Sequence, residues 1–131
     1  MSHFYVLVVG DVDHEMEPFN LNAKVFPSEP GVLLFDSYGI GGRYAGRLVD
    51  HEGRASSQLR KSDIDFEGMK RQRVLAAPEG TAEASVAPFA LLNERRWHKR
   101  TRADDDWEAR FEALFTALPD DALITVVDCH S

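Results

Sequence analysis

The feature that most constrains the fold is an apolar run near the start of the sequence, His3–Val9, which stops at Gly10. Because residues 6–9 do not alternate with polar residues, this run predicts a strand that is buried on both faces. A second strongly apolar run, residues 123–128, predicts another buried strand near the other end of the sequence. The fold therefore has to be built around these two strands.

Helical and hairpin signals lie between the two strands. A helix is predicted over residues 105–118, where acidic residues begin the segment and Pro119 ends it. Its apolar residues recur at helical spacing: Trp107, Phe111, Leu114, Phe115 and Leu118. A second helix is predicted to begin near Ser62, which forms a capping-box pattern with Asp65. Residues 89–92 and 97–100 predict a β-hairpin. The pattern indicates an α+β fold, with a mixed or mainly antiparallel sheet and two helices packed on one face.

The rest of the sequence predicts connections and short strands. We expect a loop over residues 11–30, a short strand over 32–35, a glycine-rich turn over 38–43, a strand over 44–49, a turn over 50–53 and a loop over 76–88. A length of 131 residues fits one globular domain, residues 1–131.

The composition narrows the class of protein. A single cysteine excludes an intramolecular disulfide framework and fits a reducing cytosol. No apolar run approaches the roughly 18 residues of a membrane helix, and the opening residues lack the basic segment followed by an apolar stretch that is typical of a signal peptide. We therefore expect a cytoplasmic protein without a membrane partner.

Charge is distributed unevenly along the sequence. The net charge of −7 disfavours nucleic acid as a partner of the whole chain. Residues 43–102, however, contain thirteen of the fifteen basic residues, while the segments on either side are acidic. If the fold keeps this separation, an acidic side can bind a basic partner, and a basic side can bind an anion or a second copy of the chain.

The segment around Gly41, Gly42, Arg43 and Tyr44 is the first candidate ligand site. Glycine-rich backbone lets N–H groups approach an anion closely, and Arg43 can hold a phosphate or carboxylate. The segment matches neither a Walker loop nor the dinucleotide fingerprint. The structural alternative is a tight turn in which Arg43 is the partner of a buried carboxylate or a backbone carbonyl.

The second candidate site combines the two ends of the predicted sheet. Asp128 and His130 point to the same face of their strand, and Cys129 points to the other face, as a buried and inert thiol. If this strand pairs antiparallel with His3–Val9, His3 lies beside His130, and the three residues can form an acid/base cluster or a metal site. The alternative is a frayed chain end in which Asp128 caps a neighbouring element.

Residues 95–102 combine Trp97 and His98 with five basic side chains. An aromatic ring among cations can stack on a base while the cations neutralise phosphates, which makes direct nucleic-acid binding possible here. The alternative is an exposed hairpin face with Trp97 anchored in the core.

Five segments together resemble a family of small proteins encoded by tailed bacteriophages. They are residues 1–11 (MSHFYVLVVGD), 40–46 (IGGRYAG), 61–69 (KSDIDFEGM), 89–98 and 118–130 (LPDDALITVVDCH). Many members of that family have a Trp at the position of Tyr44, a Cys-x-x-Cys-rich insertion after the glycine loop, and a Gly/Trp-rich segment after His98. This chain lacks the insertion and has Asp104, Asp105 and Asp106 in the later segment.

The family has no established biochemical function, so the resemblance implies only a class of role. Phage accessory proteins of this size commonly bind and block a host component, including nucleic-acid-guided defence complexes. The first expectation is therefore a non-enzymatic, anti-CRISPR-like inhibitor that binds a host protein or ribonucleoprotein through an acidic surface at residues 104–106, with no cofactor and with a homodimer possible. The alternative is a nucleotide- or phosphate-binding protein, or a metal-dependent hydrolase, that uses Gly41 to Arg43 with His3, Asp128 and His130. A structural or self-associating accessory protein is a third possibility.

Overall fold

A mixed β-sheet forms the centre of the computed structural model, which describes residues 3–19, 35, 37–76, 87–99 and 106–130. Within those residues the strand order is β2-β8-β1-β6-β7, and β5 pairs with β8 on the edge that β2 also occupies. The remaining two strands, β3 and β4, pair only with each other. The strands are β1 (His3–Val9), β2 (Ser37–Ile40), β3 (Leu48–Val49), β4 (Ala55–Ser56), β5 (Gln58–Arg60), β6 (Ala90–Asn93), β7 (Arg96–Lys99) and β8 (Leu123–His130).

The two apolar runs are the central strands β1 and β8, as the sequence predicts. They pair antiparallel, and β1 also pairs parallel with β6. Successive residues of β1 point to opposite faces, and Val6, Leu7 and Val8 are all fully buried. Both faces of the central strands are therefore covered.

Helices cover the two faces unequally. Helices α2 (Phe66–Ala76) and α3 (Trp107–Thr116) lie on the face that contains Leu7 and Val126. The short helix α1 (Val12–Met16) packs on the face that contains Val6, Val8 and Val127. The α+β fold is thus confirmed, with mostly antiparallel strands and two helices on one face. Helix α1, on the other face, is not among the helices that the sequence predicts.

The prediction of a loop from residue 11 onward is wrong at its start. Asp11 is the N-cap of α1, and its side chain accepts a hydrogen bond from the backbone N–H of His14 at 2.9 Å. Met16 and Phe19 then bury their side chains against the sheet. This packing offsets the low helix propensity of a short acidic segment.

The predicted start of the second helix is wrong by one turn. Residues 61–63 form a 3₁₀ turn, and α2 begins at Phe66. The capping side chain is Asp65, which accepts a hydrogen bond from the N–H of Gly68 at 3.0 Å. Lys61 fixes the preceding turn, because its Nζ donates to the carbonyls of Thr116 and Leu118 at the end of α3. The chain therefore turns at Ser62 and starts its helix later.

The glycine-rich segment is also divided differently from the prediction. Residues 37–40 form strand β2 on β8, and the turn begins only at Gly41, which has a φ of +76°. A 3₁₀ turn spans residues 42–44, so the strand predicted over 44–49 is reduced to β3. Gly39 did not prevent strand pairing, because pairing uses backbone groups alone.

The remaining predictions of local structure have mixed outcomes. The β6–β7 hairpin is confirmed, with Glu94 and Arg95 both at positive φ in a two-residue turn of type I′ geometry. The turn at residues 50–53 and the helix α3 are confirmed, and β8 runs two residues further than predicted, to His130. Of the predicted strand over 32–35 only Phe35 is described, and the loops over 20–30 and 77–86 lie outside the described residues. No helix in the described ranges is long and apolar enough to cross a bilayer.

Candidate functional site

The register of β1 against β8 assembles the second candidate site. His3 lies directly opposite His130, and Tyr5 lies opposite Asp128. Because side chains alternate along a strand, all four residues share the face of the sheet that α2 and α3 cover further along. The sequence predicts this site only if β1 and β8 pair antiparallel, and that pairing is present.

Asp128 organises this group of residues. Its side chain is 11% exposed, its Oδ1 is 2.7 Å from the Nδ1 of His3, and its Oδ2 accepts the backbone N–H of Arg43 at 2.9 Å. Burial opposes ionisation of the carboxyl, but these two hydrogen bonds and the charges of His3 and Arg43 hold the pKa of Asp128 below its usual range. The frayed chain end of the alternative is wrong, because β8 is paired through His130, but Asp128 does cap a neighbouring element, the 3₁₀ turn at residues 42–44.

Two imidazole rings lie side by side at the edge of the group. The ring centroids of His3 and His130 are 4.9 Å apart, and the ring planes are inclined by 68°. The His3 side chain is 31% exposed, and its hydrogen bond to Asp128 uses Nδ1. Nε2 of His3 is therefore the nitrogen that a ligand can contact. Across the described ranges, no group of three or more His, Cys, Asp or Glu side chains is arranged to hold a metal ion, so the metal alternative gains no support.

The glycine loop lies directly on Asp128. Gly42 has a φ of +52°, and a Cβ at this position would be 2.7 Å from both Cβ and Oδ2 of Asp128. The N–H of Gly41 donates to the carbonyl of Val126 at 2.8 Å, which holds the loop on β8. Glycine is therefore required here for close approach. The tight turn and the carboxylate partner of the structural alternative are both present, but Arg43 reaches Asp128 with its backbone.

Two arginines extend from this loop. The Arg43 side chain is exposed, and no described carboxylate forms an ion pair with its guanidinium or with that of Arg47. The Arg47 guanidinium lies 5.8 Å from the ring centroid of Tyr5 and 5.6 Å from that of Tyr44, and the two tyrosine rings stack on each other at 5.3 Å. Tyr44 thus supports a cation, which leaves its ring less suited to stacking on a ligand.

Sequence reasoning missed Tyr5 and Arg47. Tyr5 is two residues from His3, so strand periodicity places it on the same face, and that signal was available. Arg47 reaches the site because residues 41–47 fold back over the sheet as a 3₁₀ turn and loop. A straight strand, as predicted for this segment, would have carried Arg47 away.

Trp97 and His98 do not join the site. They lie on β7, three strand positions from β8, which is about 14 Å at the usual strand spacing. Trp97 packs in the core on the α1 face, with its ring centroid 5.1 Å from that of Phe19, while His98 is on the opposite face. Burial, together with the charges of Arg110 and Arg96, lowers the pKa of His98. The anchored-hairpin alternative therefore describes Trp97 correctly.

The other candidate residues have simpler positions. Asp106 is an exposed residue before α3, while Asp104 and Asp105 lie outside the described residues. Cys129 is fully buried, and burial with the adjacent charge of Asp128 raises its pKa to about 12. A thiol with so high a pKa is a poor nucleophile at neutral pH, as the sequence predicts.

Comparisons with known proteins identify no relative. The chain has no significant match among protein-family models, curated proteins or solved structures. Its function has to be argued from the site.

Proposed function

We propose that the chain binds a phosphate-bearing ligand at the group formed by His3, Asp128, His130, Arg43 and Arg47, which we call the β1–β8 site. The observation that carries the proposal is the convergence of His3 and the glycine–arginine loop on one carboxylate, Asp128, with the ring of His130 in contact with that of His3. It is the phosphate-binding alternative that the sequence predicts, and the contacts of the described residues support it.

The charges of the site favour an anion. Asp128 directs both carboxylate oxygens inward, to His3 and to the backbone of Arg43. Its negative charge is therefore already hydrogen-bonded, while the two guanidinium groups have no described carboxylate partner. Guanidinium groups bind phosphate with paired, charge-assisted hydrogen bonds, and imidazole N–H groups add further donors.

The test is calorimetric titration of the purified chain with inorganic phosphate and with a ribonucleoside 3′-monophosphate. Both should bind, and Arg43→Gln and Arg47→Gln should each weaken binding about tenfold or more, the range expected for a lost charge-assisted hydrogen bond. The nucleotide serves to show whether more than the phosphate group is recognised.

Arg54→Gln is the matched control for charge. Arg54 is 76% exposed in a turn, and its ion pair is with Glu52. This substitution should leave phosphate binding unchanged. Equal weakening by all three substitutions would show a diffuse charge effect, and an absence of binding at millimolar phosphate would refute the proposal.

Inhibition of a host complex from within the host cytosol stays a prediction that rests on the phage resemblance and the acidic balance. Its test is affinity capture from host lysate with the folded, tagged chain, beside a variant in which Asp104, Asp105 and Asp106 are Asn. A stoichiometric partner lost in the variant is expected. Capture of the same proteins by both versions would contradict an acidic docking surface.

A further inference from the structure

The geometry points to a catalytic use of the β1–β8 site: cleavage of RNA by internal transesterification, with His3 as general base and His130 as general acid. This inference rests on the proposed phosphate binding and names the substrate class. It uses the Asp128–His3 pair and the second histidine for proton transfer, a task that phosphate binding alone does not require.

His3 has the environment of a general base. Its Nδ1 contacts Asp128 Oδ1 at 2.7 Å, so the carboxylate fixes the orientation of the ring and leaves Nε2 as the nitrogen for a substrate. When Nε2 takes a proton, the ring becomes an imidazolium whose charge faces a carboxylate that is only 11% exposed. Such a carboxylate stabilises the imidazolium as it forms.

His130 is placed to supply the second proton transfer. Its ring centroid is 4.9 Å from that of His3, which puts both imidazoles within reach of one phosphate group. Among the described residues, the charged groups next to the pair are Asp128, which bonds His3, and Arg43, whose backbone N–H bonds Asp128, while Arg47 lies over the two stacked tyrosines next along the face. The arginines can stabilise charge that develops on the phosphate oxygens.

An RNA phosphodiester is the substrate class that needs nothing beyond these groups. The 2′-hydroxyl gives its proton to His3 and attacks phosphorus, so that a 2′-O–P bond forms. The P–O5′ bond breaks, and His130 gives its proton to the leaving 5′-oxygen. The products are a 2′,3′-cyclic phosphate and a 5′-hydroxyl, with no change of oxidation state and no added co-reactant.

The experiment incubates the chain with the dinucleotide UpA and follows uridine 2′,3′-cyclic phosphate by liquid chromatography and mass spectrometry. Product should form, with a bell-shaped dependence on pH, because one imidazole must be neutral and the other protonated. His3→Asn and His130→Asn should each lower the rate by about 100-fold or more. Asn at position 3 keeps an N–H donor for Asp128, so the strand pair should remain folded, as circular dichroism would check.

Asp128→Asn tests positioning separately from catalysis. We expect a lower rate with a displaced acid-side limb of the pH profile, because that limb reports the general base His3, and a purely structural role would not produce this effect. His51→Gln is the matched control: His51 is exposed, contacts the carbonyl of Ser62, and has no role in the site. Its rate should equal that of the unsubstituted chain, whereas a contaminating ribonuclease would cleave UpA equally in the His3→Asn and His130→Asn preparations.

Failure of this inference is distinguishable from failure of the proposed function. A UpA analogue without the 2′-hydroxyl cannot be cleaved, so calorimetry with it measures binding alone. Binding of the analogue without cleavage of UpA would overturn the catalytic inference and keep the proposed function. Absence of both would overturn both, and cleavage that survives His3→Asn and His130→Asn would overturn the catalytic inference.

Discussion

The central strands of the sheet and its β7 edge contain similar residue types and use them differently. At the β1–β8 site a buried carboxylate, Asp128, hydrogen-bonds His3 and the backbone of Arg43. On β7, Trp97 is packed into the core, and burial together with cationic neighbours lowers the pKa of His98. A histidine, an aromatic ring and arginines thus form a candidate site only where a carboxylate lies beneath them to orient the ring.

The buried carboxylate of Glu15, at the β6–β7 hairpin turn, also differs from Asp128 in its role. Glu15 is 7% exposed, and its Oε1 accepts the backbone N–H of Arg95 at 3.0 Å, while the Arg95 guanidinium contacts the ring of His14. Here the carboxylate joins α1 to the β6–β7 turn. Its contacts attach two elements to each other, whereas those of Asp128 orient a ring that faces solvent.

The largest expected effect tests the structural role of the β7 edge. Trp97→Ala should lower the free energy of unfolding by about 4 kcal/mol, since it empties space in the α1-side core. Trp97→Phe should cost less than about 1.5 kcal/mol, because the indole Nε1 has no hydrogen-bond partner among the described residues. Denaturant unfolding measures both. Loss of phosphate binding in a fully folded Trp97→Phe variant would place Trp97 in a ligand site after all.

The next largest effect tests the close contact between Gly42 and Asp128 at the β1–β8 site. Gly53→Ala should cost about 1–2 kcal/mol, because Gly53 has a φ of +81° but open space around its Cα. Gly42→Ala adds a collision with Asp128 to the same kind of strain and should cost about 3 kcal/mol, with loss of phosphate binding. Equal costs for the two variants in thermal and denaturant unfolding would show that the loop does not lie on Asp128.

The smallest effect concerns pH. Asp128→Asn should lower stability by about 2 kcal/mol near neutral pH, the value of a hydrogen bond to a charged group. The folded chain holds the pKa of Asp128 below the value of about 3.9 expected when unfolded, so the contribution is complete above that pH. It is lost as the pH falls through the folded pKa. Unfolding curves between pH 2 and 7 should therefore converge for the two proteins at the acid end, and a gap independent of pH would contradict an ionised Asp128.

Much of the fold follows from local pattern. The unbroken apolar runs predict β1 and β8, and the spacing from Trp107 to Leu118 predicts α3, because burial alone determines those elements. Helix α1 was missed because its stability comes from the packing of Met16 and Phe19 on the sheet, which a short acidic segment does not reveal. The start of α2 was misplaced because Lys61 ties residues 61–63 to the end of α3, a contact between distant segments.

The sequence predicts the part of the candidate site that lies on β1 and β8, but not the part that the loop at residues 41–47 forms. Period-two alternation and an antiparallel pairing suffice to bring His3, Asp128 and His130 together. The route of residues 41–47 depends on Gly42 fitting against Asp128 and on Arg47 lying over Tyr5 and Tyr44. These contacts are three-dimensional, so the sequence pattern marked Arg43 but gave no reason to choose Arg47.

The bond between His3 and Asp128 joins residues that are 125 positions apart. Closing so long a loop costs conformational entropy, which the pairing of β1 with β8 has to offset before the two side chains can meet. A partly folded chain in which β8 has not docked therefore has no β1–β8 site at all. Long-range contacts of this kind also slow folding. Ligand binding should accordingly be gained and lost in a single cooperative step with the sheet, and the ring signals of His3 would report on the folding of the whole domain.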